Sequence, residues 1–350
     1  MNPQPMKKVV IDKYIPFDGD PFAGIADTLR LSPEEITREA VADADALIVR
    51  TRTKCGAGLL DGSRVGIVAT ATIGTDHLDF PWLASRGIKT VSAPGCNAPA
   101  VAQYVLASIF ALGLGQPGMR LGVVGLGHVG SIVASWASNL GMEVLACDPP
   151  RQSRDRGWDA ADPFKGGDRE FVTMAEIGRK ADVVTVHTPL SKDGLCPTFH
   201  LIDHDFLDIA PKALVINSAR GAVADNRALA EAVSRGRVDR LAMDCWEGEP
   251  AISTELLRLA EISTPHIAGY SIEGKKRATA VTFNAVLEHF GSDRRIEPGV
   301  AMQPPAAVSA SAVTDSYDPL SDSIPLKSSP ADFERLRNTY SLRHEVGAAD

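Results

Sequence analysis

The segment Leu121-Gly-Val-Val-Gly-Leu-Gly-His-Val-Gly130, with Asp148 downstream, constrains this chain more than any other feature. A short apolar strand at Val123-Val124 runs directly into Gly125, Gly127 and Gly130. Ser131 to Leu140 then has the apolar spacing of a buried helix, and a second strand, Glu143 to Cys147, delivers Asp148. This order is the βαβ dinucleotide pattern. Gly125 permits the tight turn, Gly127 lets the backbone approach a pyrophosphate, and Gly130 lets helix and strand pack closely. The helix N-terminus offers N–H groups and partial positive charge to the phosphates. Asp148 is placed to accept hydrogen bonds from the adenosine ribose, and its charge disfavours the 2′-phosphate of NADP. The expected cofactor is NAD.

The length of 350 residues allows two domains with large cores. A net charge of −8 argues against nucleic acid or an anionic membrane as a general partner. It leaves room for a small anionic substrate in a local basic pocket. The five cysteines (Cys55, Cys96, Cys147, Cys196 and Cys245) include no CxxC pair, which suits a reducing cytoplasm. No metal-ligand spacing is found, so no metal is expected. No apolar h-region follows Met1 to Lys8, and Val101 to Leu114 is too short and too polar to span a bilayer. The expectation is a cytoplasmic protein without a membrane partner.

The pattern divides into three parts. Before the fingerprint, Val9 to Ile11, Ala46 to Val49, Val65 to Ala69 and Lys89 to Val91 read as strands. Ser32-Pro-Glu-Glu35 reads as a helix start, with acids near the positive end. From Leu121 onward, strands are expected at Asp182 to His187, Ala213 to Asn217, Leu241 to Asp244 and Glu261-Ile262, with helices between them. The fold class is therefore α/β, with two doubly wound parallel-sheet domains: a Rossmann NAD domain and a flavodoxin-like domain. A helix from Ala98 to Leu114 is expected to join them. Residues 291–330 hold six Pro and eight Ser, which predicts irregular chain, and a polar helical piece is expected at Ala331 to Arg343.

The chemistry lies at expected strand ends. Arg220, in Asn217-Ser-Ala-Arg-Gly, follows one strand and can hold a carboxylate bidentately. Glu247 and Glu249, in Asp244-Cys-Trp-Glu-Gly-Glu-Pro250, follow the next. His266, in Thr264-Pro-His-Ile-Ala-Gly-Tyr270, follows the last. An Arg with a His–carboxylate pair suits oxidation of a 2-hydroxy acid.

The motifs GLGHVG, VHTPLSKDG, NSARGAVADN, AMDCWEGEP and STPHIAGYS together resemble the D-isomer-specific 2-hydroxyacid dehydrogenases over roughly residues 7–290. Arg50-Thr-Arg-Thr-Lys54, the run Ala69 to Asp79, Ala93 to Asn97 and Cys147-Asp-Pro-Pro150 narrow the resemblance. So do the short segment before Leu121 and the run Phe333 to Tyr340, similar to part of an extra C-terminal dimerisation domain. They point to the branch that oxidises 4-phospho-D-erythronate during pyridoxal 5′-phosphate biosynthesis. The resemblance implies a homodimer, and a small phosphorylated 2-hydroxy acid as substrate. Because the tail is short, it also implies a shortened or rebuilt dimerisation region. The same resemblance implies a division into 7–97 with 265–290 for a substrate-binding domain, 98–264 for the NAD domain, and 291–350 for a shortened, partly irregular C-terminal region.

Residue by residue, the resemblance implies that Arg220 binds the substrate carboxylate and C2 oxygen. His266 takes the C2 hydroxyl proton, and Glu249, the acid before proline, pairs with His266. Cofactor contacts are implied for Gly125, Gly127, His128, Val129, Gly130, Asp148, Thr188, Ser218, Ala219, Arg220, Asp244 and Gly269. Substrate contacts are implied for Thr51, Thr72 and Tyr270. Glu247 competes for His266, His187 reads as structural, His77 reads as a packing or turn residue, and Asp76 as a helix cap. Arg50, Arg52 and Lys54 share one face of an extended segment in this reading and are candidates for the substrate phosphate, with Arg343 a further one from a partner subunit. Two other readings stay open: a dehydrogenase of the same family acting on a phosphoglycerate or simple 2-oxo acid, and an NAD-sensing, corepressor-like binding protein.

Overall fold

The computed structural model describes residues 6–154 and 171–348. Contacts divide them into two compact units, one of residues up to Asn97 with Ile272–Gln303, the other of Ala98–Ser271 with residues from Pro304 on.

The first unit holds five parallel strands, β1 (Lys7–Asp12), β2 (Ala26–Leu31), β3 (Ala46–Val49), β4 (Ile67–Thr70) and β5 (Lys89–Val91), in the order β2-β1-β3-β4-β5. That is the flavodoxin-like order, with its reversal between β1 and β3. Alternate residues feed opposite faces of the sheet. Val9, Ile11, Ile48 and Ala69 pack with Phe283, Val286 and Leu287 of the helix Ile272–His289. Val10, Leu47, Val49 and Val68 pack on the other face with Val41, Leu60 and Leu83. Near-continuous apolar strands are what two covered faces require.

The second unit holds six parallel strands, β6 (Arg120–Val124), β7 (Glu143–Cys147), β8 (Val183–Val186), β9 (Leu214–Asn217), β10 (Leu241–Met243) and β11 (Ile262–Ser263). Their order is β11-β10-β9-β8-β6-β7, so the reversal falls between β6 and β8. Leu121 and Val123 of β6 and Ile216 of β9 face a cluster with Tyr104, Leu106 and Trp136, while Val124, Val186 and Val215 face the opposite one.

Several expectations are corrected. β2 escaped the reading because Ala-Asp-Thr-Leu-Arg-Leu is a half-exposed edge strand without a β-branched run. No helix starts at Ser32: Glu35 folds back to accept the Ser32 N–H at 2.7 Å in a turn, and the helix Arg38–Val41 begins after Thr37. Asp79, not Asp76, caps the helix Phe80–Ser85, accepting the Trp82 N–H. The helix from Ala98 ends at Ala111, short of the expected Leu114. Residues 291–330 are not irregular throughout, since Ala310–Ser316 and Pro319–Ser328 are helices, the latter opening on proline at a first-turn position that needs no N–H.

The boundaries of the compact units also differ from the expected ones. Residues 265–271 go with the second unit because Asp244 accepts the Ile267 and Ala268 N–H groups at 2.7 and 3.0 Å. The segment from Pro304 packs onto that same unit. Trp136 Nε1 donates to Pro305 O, Ser263 N to Ser323 Oγ, and Leu326 and Phe333 enter its core.

Candidate active site at the strand ends

β6 turns at Gly125, whose φ of +88° favours glycine and whose Cβ would lie 2.9 Å from the His187 carbonyl carbon. At Gly130 a Cβ would sit 1.8 Å from Gly125 O, so helix and turn approach too closely for any side chain. At Gly127 a Cβ would meet nothing within 4 Å. Gly127 starts the helix His128–Asn139 with no side-chain cap on its first-turn N–H groups, and Gly127 and His128 are exposed. Asp148, past β7, accepts the Leu126 N–H at 2.7 Å and the Arg151 N–H at 2.9 Å. Arg151 is 1% exposed and donates to Leu126 O and Ser131 Oγ. It is a strut of the glycine loop, with its Nη1 turned into that loop.

Past β8, burial pushes the His187 imidazole down to about 3, and its Nε2 lies 3.0 Å from Thr185 Oγ1. His187 is therefore a neutral interior residue. The next residue, Thr188, and Ser218 past β9 each bury a hydroxyl oxygen that has no partner among the described residues. Buried hydroxyls without partners are uncommon, and a polar ligand along these strand ends would satisfy both. Together with the open helix N-terminus, they fit NAD.

β9 ends in Asn217, which is fully buried. Its Nδ2 donates to Arg220 O and Gly221 O, and its Oδ1 accepts the Ala219 N–H. One side chain thus folds the turn that carries Ser218 and Arg220. The turn lies so close to the next segment that a Cβ on Gly221 would be 2.0 Å from Trp246 O. Arg220 is half-buried, with its Nη1 on Ala219 O at 2.8 Å.

Asp244 past β10 is buried and organises the turn after β11. Its Oδ1 accepts Thr264 Oγ1 and Ile267 N, both at 2.7 Å, and its Oδ2 accepts Ala268 N. Burial raises the Asp244 carboxyl, against these hydrogen bonds and the nearby His266 charge. The turn sets His266 at φ +58°, with its N–H on Asp244 O at 2.9 Å. His266 Nδ1 lies 2.8 Å from Glu249 Oε2, and Glu249 Oε1 accepts the Trp246 N–H. Burial pushes the Glu249 carboxyl up. The His266 hydrogen bond and charge, the Trp246 N–H and the Arg337 charge outweigh it and hold the group below the usual carboxylate range. Glu247 is not the partner of His266: its Oε1 takes His200 Nε2 at 2.7 Å and its Oε2 the Asn226 N–H.

Sequence reasoning missed Arg337. The helix Phe333–Asn338 brings its Nε to Tyr270 OH at 3.2 Å and its charge near Glu249. The signal was its place in the run Phe333 to Tyr340, read only as part of a dimerisation region. Arg343 is removed from the phosphate candidates. It donates to Gln103 Oε1 and to the carbonyls of Ala100, Ile267, Ala268 and Tyr270.

In the first unit, Thr51 follows β3 and Thr72 follows β4. Residues 51–53 form a turn closed by Thr53 N on Arg50 O, so Arg50, Arg52 and Lys54 do not share the face of an extended segment. Arg50 Nε is paired with buried Asp12 at 2.9 Å, Arg52 lies 3.8 Å from Glu34, and Lys54 is exposed.

Residues 108–268 match the model of the D-isomer specific 2-hydroxyacid dehydrogenase NAD-binding domain. The chain is 41% identical, over 97% of its length and 98% of the relative, to an erythronate-4-phosphate dehydrogenase of Bacteroides fragilis. It is 39% identical to that of Edwardsiella ictaluri, covering 97% of this chain and 92% of that protein. Among solved structures, D-lactate dehydrogenase from Aquifex aeolicus, complexed with NAD and lactic acid, aligns with a TM-score of 0.65 at 23% identity, over 81% of this chain and 95% of that one. The apo D-mandelate dehydrogenase of Rhodotorula graminis aligns with a TM-score of 0.65 at 24% identity, over 81% and 94%. These two share the fold. The fit of the glycine loop and strand ends to NAD agrees with the matched domain, and the chain belongs to the NAD-dependent D-isomer specific 2-hydroxyacid dehydrogenase family.

Proposed function

We propose that this chain oxidises 4-phospho-D-erythronate at C2 to 2-oxo-3-hydroxy-4-phosphobutanoate, in the biosynthesis of pyridoxal 5′-phosphate. The observation that carries the chemistry is the 2.8 Å contact between His266 Nδ1 and the Glu249 carboxylate. An ionised carboxylate there fixes the neutral imidazole with its proton on Nδ1, which leaves the Nε2 lone pair as a base. The relatives' printed activity supplies the substrate.

In this reading, Arg220 holds the carboxylate and C2 oxygen, and His266 Nε2 accepts the C2 hydroxyl proton as the C2–O double bond forms. Glu249 orients the ring and stabilises the imidazolium that results. NAD, when bound, accepts the hydride that leaves C2. Gly125, Gly127, His128, Val129 and Gly130 hold its pyrophosphate, and Asp148 its adenosine ribose. Thr188, Ser218, Ala219 and Gly269 line its nicotinamide side, while Asp244 acts there chiefly by fixing the turn from Thr264 to Ala268. Thr51, Thr72 and Tyr270 contact the substrate.

The first unit is the substrate-binding domain in this reading and the second the NAD domain. The five free cysteines support a cytoplasmic location. Exposed Leu320 and Ile324, one turn apart on the helix Pro319–Ser328, support a homodimer. Among the described residues, no helix is long and apolar enough to cross a membrane. The test is NADH formation with 4-phospho-D-erythronate, 3-phospho-D-glycerate and D-lactate. The first should give the highest kcat/KM, and an equal or higher value for either of the others overturns the assignment.

A further inference from the structure

Three donor side chains from separate segments of the second unit converge on one point. His200 lies between β8 and the helix His204–Leu207, Asp225 caps the helix Asn226–Ser234, and Glu247 stands on the segment after β10. His200 Nε2 is 2.7 Å from Glu247 Oε1, and His200 Nδ1 is 3.6 Å from Asp225 Oδ2. One ring nitrogen and one oxygen of each carboxylate fall within 4.8 Å of one another. Long intervals separate the three along the chain, so no ligand spacing in the sequence announces them.

Each donor is oriented by a contact of its own. Glu247 Oε2 accepts the Asn226 N–H at 2.9 Å, which leaves Oε1 for His200. Asp225 Oδ1 accepts the Arg227 and Ala228 N–H groups at 2.9 and 3.1 Å, which leaves Oδ2 on the His200 side. His200 sits at φ +52°, with its N–H on Ala222 O at 2.8 Å and its ring stacked on Phe199, the centroids 3.9 Å apart. Outer contacts of this kind hold the donors of metal sites in place. Asn226 joins the two acids, since it follows Asp225 in the chain and gives its N–H to Glu247. It is 7% exposed, and both its Oδ1 and its Nδ2 are buried without a partner among the described residues. A buried carboxamide in that state is uncommon, and a polar ligand beside the acids would satisfy it.

We propose that His200, Asp225 and Glu247 bind a divalent transition cation, with Zn2+ the ion that this donor set fits. An imidazole with two carboxylates suits zinc, whereas Mg2+ and Ca2+ favour oxygen alone. A tetrahedral ion about 2.1 Å from each donor spaces its donors roughly 3.4 Å apart, so a closure of about 1.4 Å or less gathers these three. The two carboxylate charges balance the ion. Water reaches the open position because the His200 and Glu247 side chains are 30% and 29% exposed. The cation ties the segment that carries Glu249 to the helix Asn226–Ser234 and to the loop of His200. It is a brace, and hydride transfer does not pass through it.

The test titrates the full chain, stripped with a chelator, with Zn2+ by calorimetry and with Co2+ by absorption spectroscopy. The tightest equivalent should be weakened about 100-fold or more by His200→Ala, since loss of an outer contact alone costs about 10- to 100-fold. Asp225→Asn keeps an oxygen for the helix cap and should weaken it by about tenfold or more. Cys245, Glu249 and His266 form a second set of donors at similar separation. A thiolate-to-cobalt band in the near ultraviolet would assign the ion to Cys245. Such a band on the tightest equivalent, an affinity that survives His200→Ala, or the absence of a bound equivalent overturns the proposal. If His200→Ala does not fold, an unchanged affinity in Asp225→Asn overturns it as well.

Discussion

His266 and Glu249, 17 residues apart in the chain, meet through a 2.8 Å contact that two successive strand ends and one buried carboxylate enforce. Asp244 holds the backbone on the His266 side, and the Trp246 N–H holds the other oxygen of Glu249. A base whose partner is fixed from both sides needs little rearrangement to accept a proton.

His266→Ala should lower kcat for 4-phospho-D-erythronate by about 100-fold or more, because general base catalysis contributes on that order. NAD binding, followed by titration calorimetry, should stay close to wild type. Unchanged turnover would remove His266 from the reaction.

Glu249→Gln should lower kcat and move the acidic limb of the oxidation profile to lower pH. The carboxylate and the imidazolium stabilise one another, as the depressed Glu249 carboxyl records. Without the negative charge, the neutral ring that oxidation requires persists to lower pH. A pH–rate profile of both enzymes decides the sign, and an upward shift would contradict the pair.

The same depressed carboxyl links Glu249 to stability. A group lowered in the folded state contributes stability above its unfolded pKa, and that contribution is lost as pH falls through the folded value. Arg337→Met removes a charge that helps hold the group down, so the contribution should be smaller and its loss complete at a higher pH than in wild type. Thermal denaturation at a series of acid pH values would show it. Identical profiles would mean that the guanidinium has no influence at Glu249.

The enzyme should prefer NAD to NADP by at least an order of magnitude in kcat/KM, since Asp148 sets a carboxylate where the 2′-phosphate would fall. Arg151→Ala should lower the melting temperature without moving this preference, because its Nη1 is held inside the glycine loop by Leu126 O and Ser131 Oγ. A variant that gained or lost NADP activity would place Arg151 in the ribose site after all.

For the substrate phosphate, Arg52 and Lys54 are the remaining candidates of the basic cluster. Arg50 is committed to Asp12, whereas the exposed Arg52–Glu34 pair at 3.8 Å is weak enough to exchange. Arg52→Ala and Lys54→Ala should each raise KM for 4-phospho-D-erythronate severalfold more than for unphosphorylated erythronate. Equal losses on the two substrates would take both residues out of that role.

The glycine loop and the catalytic segments were legible because each carries its reason locally. Gly125 and Gly130 are required by a turn and a helix contact that nothing larger could serve, and Gly127 leaves the start of the helix open. Glu249 against Glu247 was not decidable from spacing, since both lie on the same short segment. Only the fold shows His200 and Asn226 N occupying Glu247. Arg151 lies only three residues past Asp148 along the chain, yet its side chain turns back into the loop. The basic cluster misled for a related reason: alternation holds in a strand, and residues 51–53 are a turn. The helices in 304–328 were hidden by proline and serine, which are compatible with helix starts when they fall at caps, as Ser309 and Pro319 do. β2 and Arg337 were invisible because their reasons are tertiary.

Arg343 gathers the carbonyls of Ile267, Ala268 and Tyr270, the residues just after His266, together with Ala100 from a helix begun far earlier. The loop that bears His266, the proposed base, is thus fastened by a residue that follows every strand of both sheets in the chain. During synthesis, both sheets can be complete while that loop is still untied. A premature stop shortly before residue 343 would yield a protein with every signature residue in place and the Asp244 contacts intact, but with the carbonyls after His266 no longer gathered by a guanidinium.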